Sequence, residues 1–267
     1  MRYTKPALSF EQQAQRLIDR GLIVKDKTML VKCLSTVNYY RLSAYWYPFK
    51  RTNPATGSEH FAPHTTFEMI WRRYTFDREL RLLVMDALER VEIAVLRTRL
   101  VEQFTLLYGP FGYCNLRNFN PRFPESDYHR LMDELNDAVS RSKEEFVGRF
   151  RRKYTSETHL PLWIAAELMT FRNACAHHTR LWNRELPIRP KLPDKHHRPE
   201  WYIPAPIDNT RIFSVLTLLR YLLSYVAPLE GWSVRLEQLL DAYSEISIRS
   251  MGFPLNWHDC LIWKISP

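Results

Sequence analysis

A guanidinium, a carboxamide and two imidazoles crowd into one stretch, Phe171-Arg172-Asn173-Ala174-Cys175-Ala176-His177-His178-Thr179-Arg180-Leu181-Trp182-Asn183-Arg184. On a helix Asn173 and His177 share a face, while Arg172 and His177 stand roughly 140° apart around the axis. Ala174 and Ala176 leave the surface between them bare, so a long arginine can fold across it toward the imidazole. An imidazole moves protons near neutral pH, and a guanidinium grips phosphate through two parallel hydrogen bonds. Together they suit phosphodiester cleavage without a metal. His177 would exchange a proton with a ribose 2′-hydroxyl or the leaving 5′-oxygen. Arg172 would neutralise the pentavalent phosphorane, and Asn173 would orient one of them. The products would carry 2′,3′-cyclic phosphate and 5′-hydroxyl ends. His178 points about 100° away from His177 and is a supporting candidate that orients its neighbour. The plainer reading is structural: an imidazole capping a carbonyl, and an arginine paired with an acid.

Composition narrows the partner. The formal net charge is +9, carried largely by arginine, often beside Tyr, Trp or Phe. Guanidinium and aromatic planes stack on unpaired bases, so RNA is the expected ligand. A basic but merely solvated surface is the alternative. Arg180 and Arg184 in the motif, and Arg189 and Lys191 just after it, are the candidate RNA contacts. Cys33, Cys114, Cys175 and Cys260 are far apart and form no C-x-x-C pair, which argues against a disulfide framework or zinc ribbon and fits a reducing cytoplasm. A zinc set drawn from His177, His178, His196, His197 and Cys175 is unattractive because adjacent histidines diverge. Neither a phosphate-binding loop G-x-x-x-x-G-K-[ST] nor a nucleophile elbow G-x-S-x-G is present, which argues against NTPase and hydrolase readings; no metal and no cofactor is expected. The start lacks a signal peptide's apolar core. The most apolar run, Ile212 to Leu229, is interrupted by Arg220 and Pro228, so no membrane span is expected.

The positioning elements read as helices. With seven glycines and long apolar periodicities, the chain is expected to be all-α. Ser9 and Gln12 form a capping-box pattern for a short helix, with Leu17 and Ile18 inward, that stops at Gly21. A second short helix should follow Thr28. Val37 to Phe49 crowds aromatic residues around Arg41; they stack on bases or form the joint between the opening helices and the main bundle. Arg51 to Pro63 reads as a loop. Thr65 and Glu68 should cap a long central helix reaching about Phe104. Its buried stripe is Leu80, Leu83, Val84, Ala87, Val91, Ala94 and Val95. Glu92 lies in a row with Leu88 and Leu96, so its carboxylate needs a cation, supplied by Arg172 or by a neighbouring arginine.

Leu131, Leu135, Ala138, Ser142, Phe146 and Phe150 outline one further helix. Its basic end, Arg149 to Tyr154, either contacts RNA or complements the helix dipole. Pro161 opens Leu162 to Met169, which runs toward the motif. The segment marked by Pro187, Pro190, Pro193 and Pro199 grips a backbone or forms a mobile loop. Ile212 to Val226 and Val234 to Tyr243 close the set. The expected organisation is an N-terminal helical region over residues 1–61 and a helical domain over residues 62–267.

The string R-N-A-C-A-H-H-x-R-L-W-N-R resembles the abortive-infection Abi family (AbiD/AbiF-like), and Arg-Asn followed after three residues by His looks like the signature of the HEPN ribonuclease superfamily. N-Y-Y-R-L-S-x-Y-W near residue 40, Phe76-Asp77-Arg78 through Glu92, and Met251 to Trp257 resemble Abi sequences too. The resemblance implies an HEPN-like bundle and a metal-independent endoribonuclease acting in phage defence. It also implies a homodimer that pairs two motifs, since one imidazole is a poor acid and base at once. An antitoxin or regulatory RNA would hold it in check. A non-catalytic HEPN-like module that binds RNA or protein is the alternative. One departure stands out: related chains carry a further helical stretch between L-P-L-W-x-A-x-E-L-M-T-F and the R-N pair, whereas Phe171 here abuts Arg172 directly.

Overall fold

The computed structural model describes residues 6–168, 180–228 and 231–264. Helix α1 (Phe10–Asp19) opens on the expected capping box: Ser9 Oγ accepts from the Gln12 amide at 3.3 Å, and the Ser9 amide donates to Gln12 Oε1 at 2.9 Å. Ala14 and Leu17 are fully buried, while Ile18 is only half-buried. Helix α2 (Lys27–Val37) begins ahead of Thr28, because Asp26 caps it by accepting from the Met29 amide at 3.1 Å. Helix α3 (Tyr39–Trp46) follows, capped by Asn38.

Where a loop was expected, Lys50–Thr52 (β1) and Glu59–Phe61 (β2) pair as an antiparallel hairpin, with Lys50 opposite Phe61. Proline and glycine shape its tip, but Phe61 is buried edge-on against Trp46 with ring centroids 6.3 Å apart. That contact, invisible locally, holds the strands.

A rod then runs through α4 (Phe67–Val91), a π-helical segment Glu92–Leu100, and α5 (Val101–Tyr108). Glu92 and Leu100 keep right-handed helical angles at both joints, so the rod is unbroken. Its cap is Thr66 rather than Thr65: Thr66 Oγ1 accepts from the Met69 amide at 3.2 Å, whereas Thr65 is buried and donates to the Ala62 carbonyl at 2.6 Å. The stripe holds through Leu80, Leu83, Val84 and Ala87, all buried, and then fades: Val91, Ala94 and Val95 are only half-buried. The wider π turn pairs residues five apart, so it re-phases the helix and turns Glu92 inward.

The single helix expected through Phe150 is two, α6 (Glu125–Arg141) and α7 (Glu145–Lys153). Ser142 breaks it: its backbone is extended and its hydroxyl accepts from the Glu144 amide at 3.2 Å, a local bond that competes with helix continuation. Helices α8 (Leu162–Leu168), α9 (Ile212–Val226), α10 (Trp232–Ala242) and α11 (Leu261–Lys264) complete a mostly helical fold. Among the described residues no helix is long and apolar enough to cross a membrane.

Burial divides between two clusters. The larger joins α1, α2, α3, α4, α9 and α10 with the C-terminal turns around Met251, Phe253 and Trp257. The smaller gathers Tyr113, Leu135, Val147, Leu160 and Ala165, with Phe104 of α5 packed on it. The π segment is therefore the part of the rod that leaves one core and approaches the other.

Candidate functional site

Arg172, Asn173, His177 and His178 lie outside the described residues, as do Cys175 and the point where Phe171 meets Arg172. What is described is how the chain is held on either side of them. Both flanks are tied to the rod by ionised side chains.

On the trailing side the anchor is Asp77 in α4, whose side chain is fully buried. Its Oδ1 accepts from the backbone amides of Leu181 at 2.8 Å and Trp182 at 2.7 Å. Its Oδ2 accepts from the Tyr45 hydroxyl at 2.6 Å and from the guanidinium of Arg81, one turn further along α4. Burial, then the Asp77 charge and hydrogen bond, push the Tyr45 hydroxyl well above its ordinary value, so it stays a donor. Trp182 is buried and stacks on Tyr45 with planes 15° apart, and the Arg73 guanidinium covers Phe49 and Trp182 at 4.6 and 5.8 Å from their ring centroids. A carboxylate in a core is stable only when paired and hydrogen-bonded. Here those partners come from α3, from α4 and from Leu181-Trp182 in the motif's C-terminal part.

On the leading side the anchor is Arg97. Glu92, 7% exposed, accepts from Arg97 at 2.7 and 3.1 Å. The same guanidinium donates to Glu167 of α8, reaching its carboxylate at 3.0 Å and its carbonyl at 3.2 Å. Of the two partners left open for Glu92, the structure places the neighbouring arginine against it. In an α-helix positions five apart diverge by about 140°. The π turn brings them together, and Thr98 repeats the spacing by donating to the Ile93 carbonyl at 2.8 Å. Burial alone would lower the Arg97 guanidinium; the bonds to Glu92 and Glu167 outweigh it and hold it above its ordinary value. Along the rod, Asp77 and Glu92 are about 22 Å apart at the usual helical rise.

The expected RNA contacts fall into two sets. Arg180 is turned into the fold, donating to the Ala44 carbonyl and, at 3.3 Å, to the Asn183 carbonyl. Arg184 is half-buried, while Arg189 and Lys191 are exposed. The proline-marked segment carrying them is packed: the Leu186 amide donates to the Thr210 carbonyl at 2.8 Å, the Tyr202 hydroxyl to the Pro193 carbonyl at 2.7 Å, and Trp201 is 1% exposed. It is a folded strap whose cations face outward.

Sequence reasoning passed over Asp77, Arg81, Tyr45, Arg97 and Glu167. One signal was available. Asp77 lies three and seven residues before Leu80 and Val84, on the apolar stripe itself, where an ionised side chain demands a partner. The five-residue spacing of Glu92 and Arg97 carries no such signal unless a π turn is known.

Three segments distant in sequence thus meet at Asp77: the end of α3, the middle of α4, and Leu181-Trp182. The model of the Abi-like protein family matches residues 32–171, which include Tyr45, Asp77, Arg81, Glu92, Arg97 and Glu167 and end immediately before Arg172. No curated protein and no solved structure matches the chain.

Proposed function

Because the chain belongs to the Abi-like protein family, we propose that it is an abortive-infection protein of phage defence that acts as a metal-independent endoribonuclease of the HEPN type. The observation that carries this reading is the pair of anchors: the chain on either side of the stretch bearing Arg172, Asn173, His177 and His178 is tied to one rod, by the buried Asp77 network on the trailing side and by the Glu92–Arg97–Glu167 ion pairs on the leading side. Catalytic groups act only when their geometry is fixed by a supporting shell, and Asp77 and Arg97 are such supports.

In the proposed reaction His177 of one copy takes the proton of a ribose 2′-hydroxyl, and the 2′-oxygen forms a bond to phosphorus. The bond to the 5′-oxygen breaks, and the leaving oxygen receives a proton from His177 of a second copy. Arg172 offsets the charge on the phosphorane, and Asn173 holds one imidazole in orientation. Two copies supply the acid and the base that one imidazole cannot supply at once, so the working species is a homodimer. An antitoxin or a regulatory RNA is the expected restraint on such an activity in a cell.

The test is cleavage of a mixed RNA pool in EDTA, with end-group chemistry and sedimentation of the same sample. Expected are 2′,3′-cyclic phosphate and 5′-hydroxyl termini, a dimer, loss of cleavage with retained binding in His177→Ala, and loss of both in Arg172→Ala, because the guanidinium holds phosphate before and during the reaction. Cleavage that survives His177→Ala would overturn the reading. RNA binding with no cleavage at all would assign the chain to a non-catalytic binding module.

A further inference from the structure

Arg151, Arg152 and Lys153 stand in the last turn of α7, all exposed. Many arginines elsewhere are held by carboxylates, as Arg149 is by Glu145 at 2.7 Å within the same helix. Among the described residues no carboxylate lies within ion-pair distance of these three. A helix dipole explains why cations collect in a last turn. It does not explain what stands beside them. Tyr154 and Trp163 are 45% and 50% exposed, and both line one concavity of about 410 Å³ floored by Phe150, Pro161 and Ile164. Lys153 Nζ sits 5.2 Å from the centroid of the Tyr154 ring. Large aromatic faces left in water beside unpaired cations match what single strands require: phosphates on the charges, bases on the rings. Glu157 lines the same concavity. Its carboxylate repels phosphate and accepts from base amino groups, so the bases rather than the backbone would face inward.

We propose that the end of α7 and the outer face of α8 form a platform for an unpaired RNA strand, with phosphates on Arg151, Arg152 and Lys153 and bases stacked on Tyr154 and Trp163. The choice of RNA rests on the function proposed above; the site rests on the unpaired charges and exposed rings. Trp163 shares its short helix with Glu167, so a strand held here lies beside the leading flank of the motif.

The experiment measures fluorescence anisotropy of an unstructured, labelled oligoribonucleotide of about a dozen bases. It uses the full chain carrying His177→Ala, so that RNA survives. Reversing the three charges (Arg151→Glu, Arg152→Glu, Lys153→Glu) should weaken binding at least tenfold. It should also flatten the slope of log affinity against log salt by about two, since each phosphate contact on a single strand contributes about 0.7. Trp163→Leu and Tyr154→Leu should each weaken binding about five- to tenfold with the slope unchanged, because stacking releases no counterions. A fully paired duplex of the same length should be indifferent to Trp163→Leu. Circular dichroism checks folding, and if Trp163→Leu does not fold, Tyr154→Leu carries the stacking arm. Affinities equal to the parent in all variants overturn the platform. So does a charge reversal that weakens RNA and an acidic polypeptide equally while both aromatic variants are silent, which would mean an acidic protein partner. Cleavage by the unmutated chain is scored separately. Binding that depends on the platform without cleavage sinks the nuclease and leaves the platform; cleavage with binding that ignores the platform does the reverse.

Discussion

Asp77 is fully buried and shared by four donors, the Tyr45 hydroxyl, the Arg81 guanidinium and two backbone amides. Removing it strands a cation, 6% exposed, without its counter-charge. Asp77→Ala should therefore cost about 3–5 kcal/mol in urea unfolding. Tyr45→Phe, which deletes one charge-assisted bond, should cost about 1.5–2 kcal/mol. If Asp77 positions the motif, Asp77→Asn at a temperature where it remains folded should lower kcat for RNA cleavage more than it raises KM; a loss confined to stability would reduce Asp77 to a core residue. Residue type and spacing single out Arg172, Asn173 and His177 as the candidates for chemistry, and these lie outside the described residues. The supports of their flanks were not legible in the sequence, since the partners of Asp77 come from positions 32 residues before it and 104 and 105 after it.

Periodicity revealed most helices, including α1 with its capping box, the length of the rod, and α9. It failed where tertiary contact or a change of helix type decides. The hairpin depends on Phe61 meeting Trp46, and the split between α6 and α7 depends on one serine. The π segment breaks the assumption of 3.6 residues per turn on which the stripe was drawn. Arg97 is the element's test. Arg97→Ala leaves Glu92 buried and unpaired, and should cost about 3 kcal/mol. Arg97→Lys should recover little, because a point charge cannot hold Glu92 and Glu167 with separate edges of one planar fork.

A second prediction belongs to the contact of α4 with α10, where Asp86 accepts from Arg90 at 3.2 Å and from Arg235 at 2.6 Å. Burial alone would raise the Asp86 carboxyl; the two arginines outweigh it and hold it below its ordinary value. A carboxyl depressed in the folded state stabilises above its unfolded value, and the gain is lost as pH falls through the folded one. Asp86→Asn should therefore flatten the acid limb of stability against pH, by about 1 kcal/mol at most for a pair this exposed, and leave the neutral plateau otherwise unchanged in shape.

Over the whole molecule the two cores are unequal. The cluster around Leu135 and Val147 is small, whereas the other spans helices from both ends of the chain. Hydrogen exchange should accordingly find amides of α6 and α7 opening well before those of α4 and α9, at a fraction of the global unfolding free energy. Exchange at one common rate would contradict this. The unbroken rod is the mechanical link between the two, and the segment Glu92–Leu100 sets the angle at which they face each other. Each residue of a helix adds about 100° of rotation. Deleting the half-exposed Ile93 would let a wide turn tighten and would swing everything carried beyond Leu100 by about that angle relative to Asp77. The segment thus acts as the indexing collar of a shaft: its residue count sets the heading at which α8 presents Trp163 and Glu167, and Arg97 within it locks that heading.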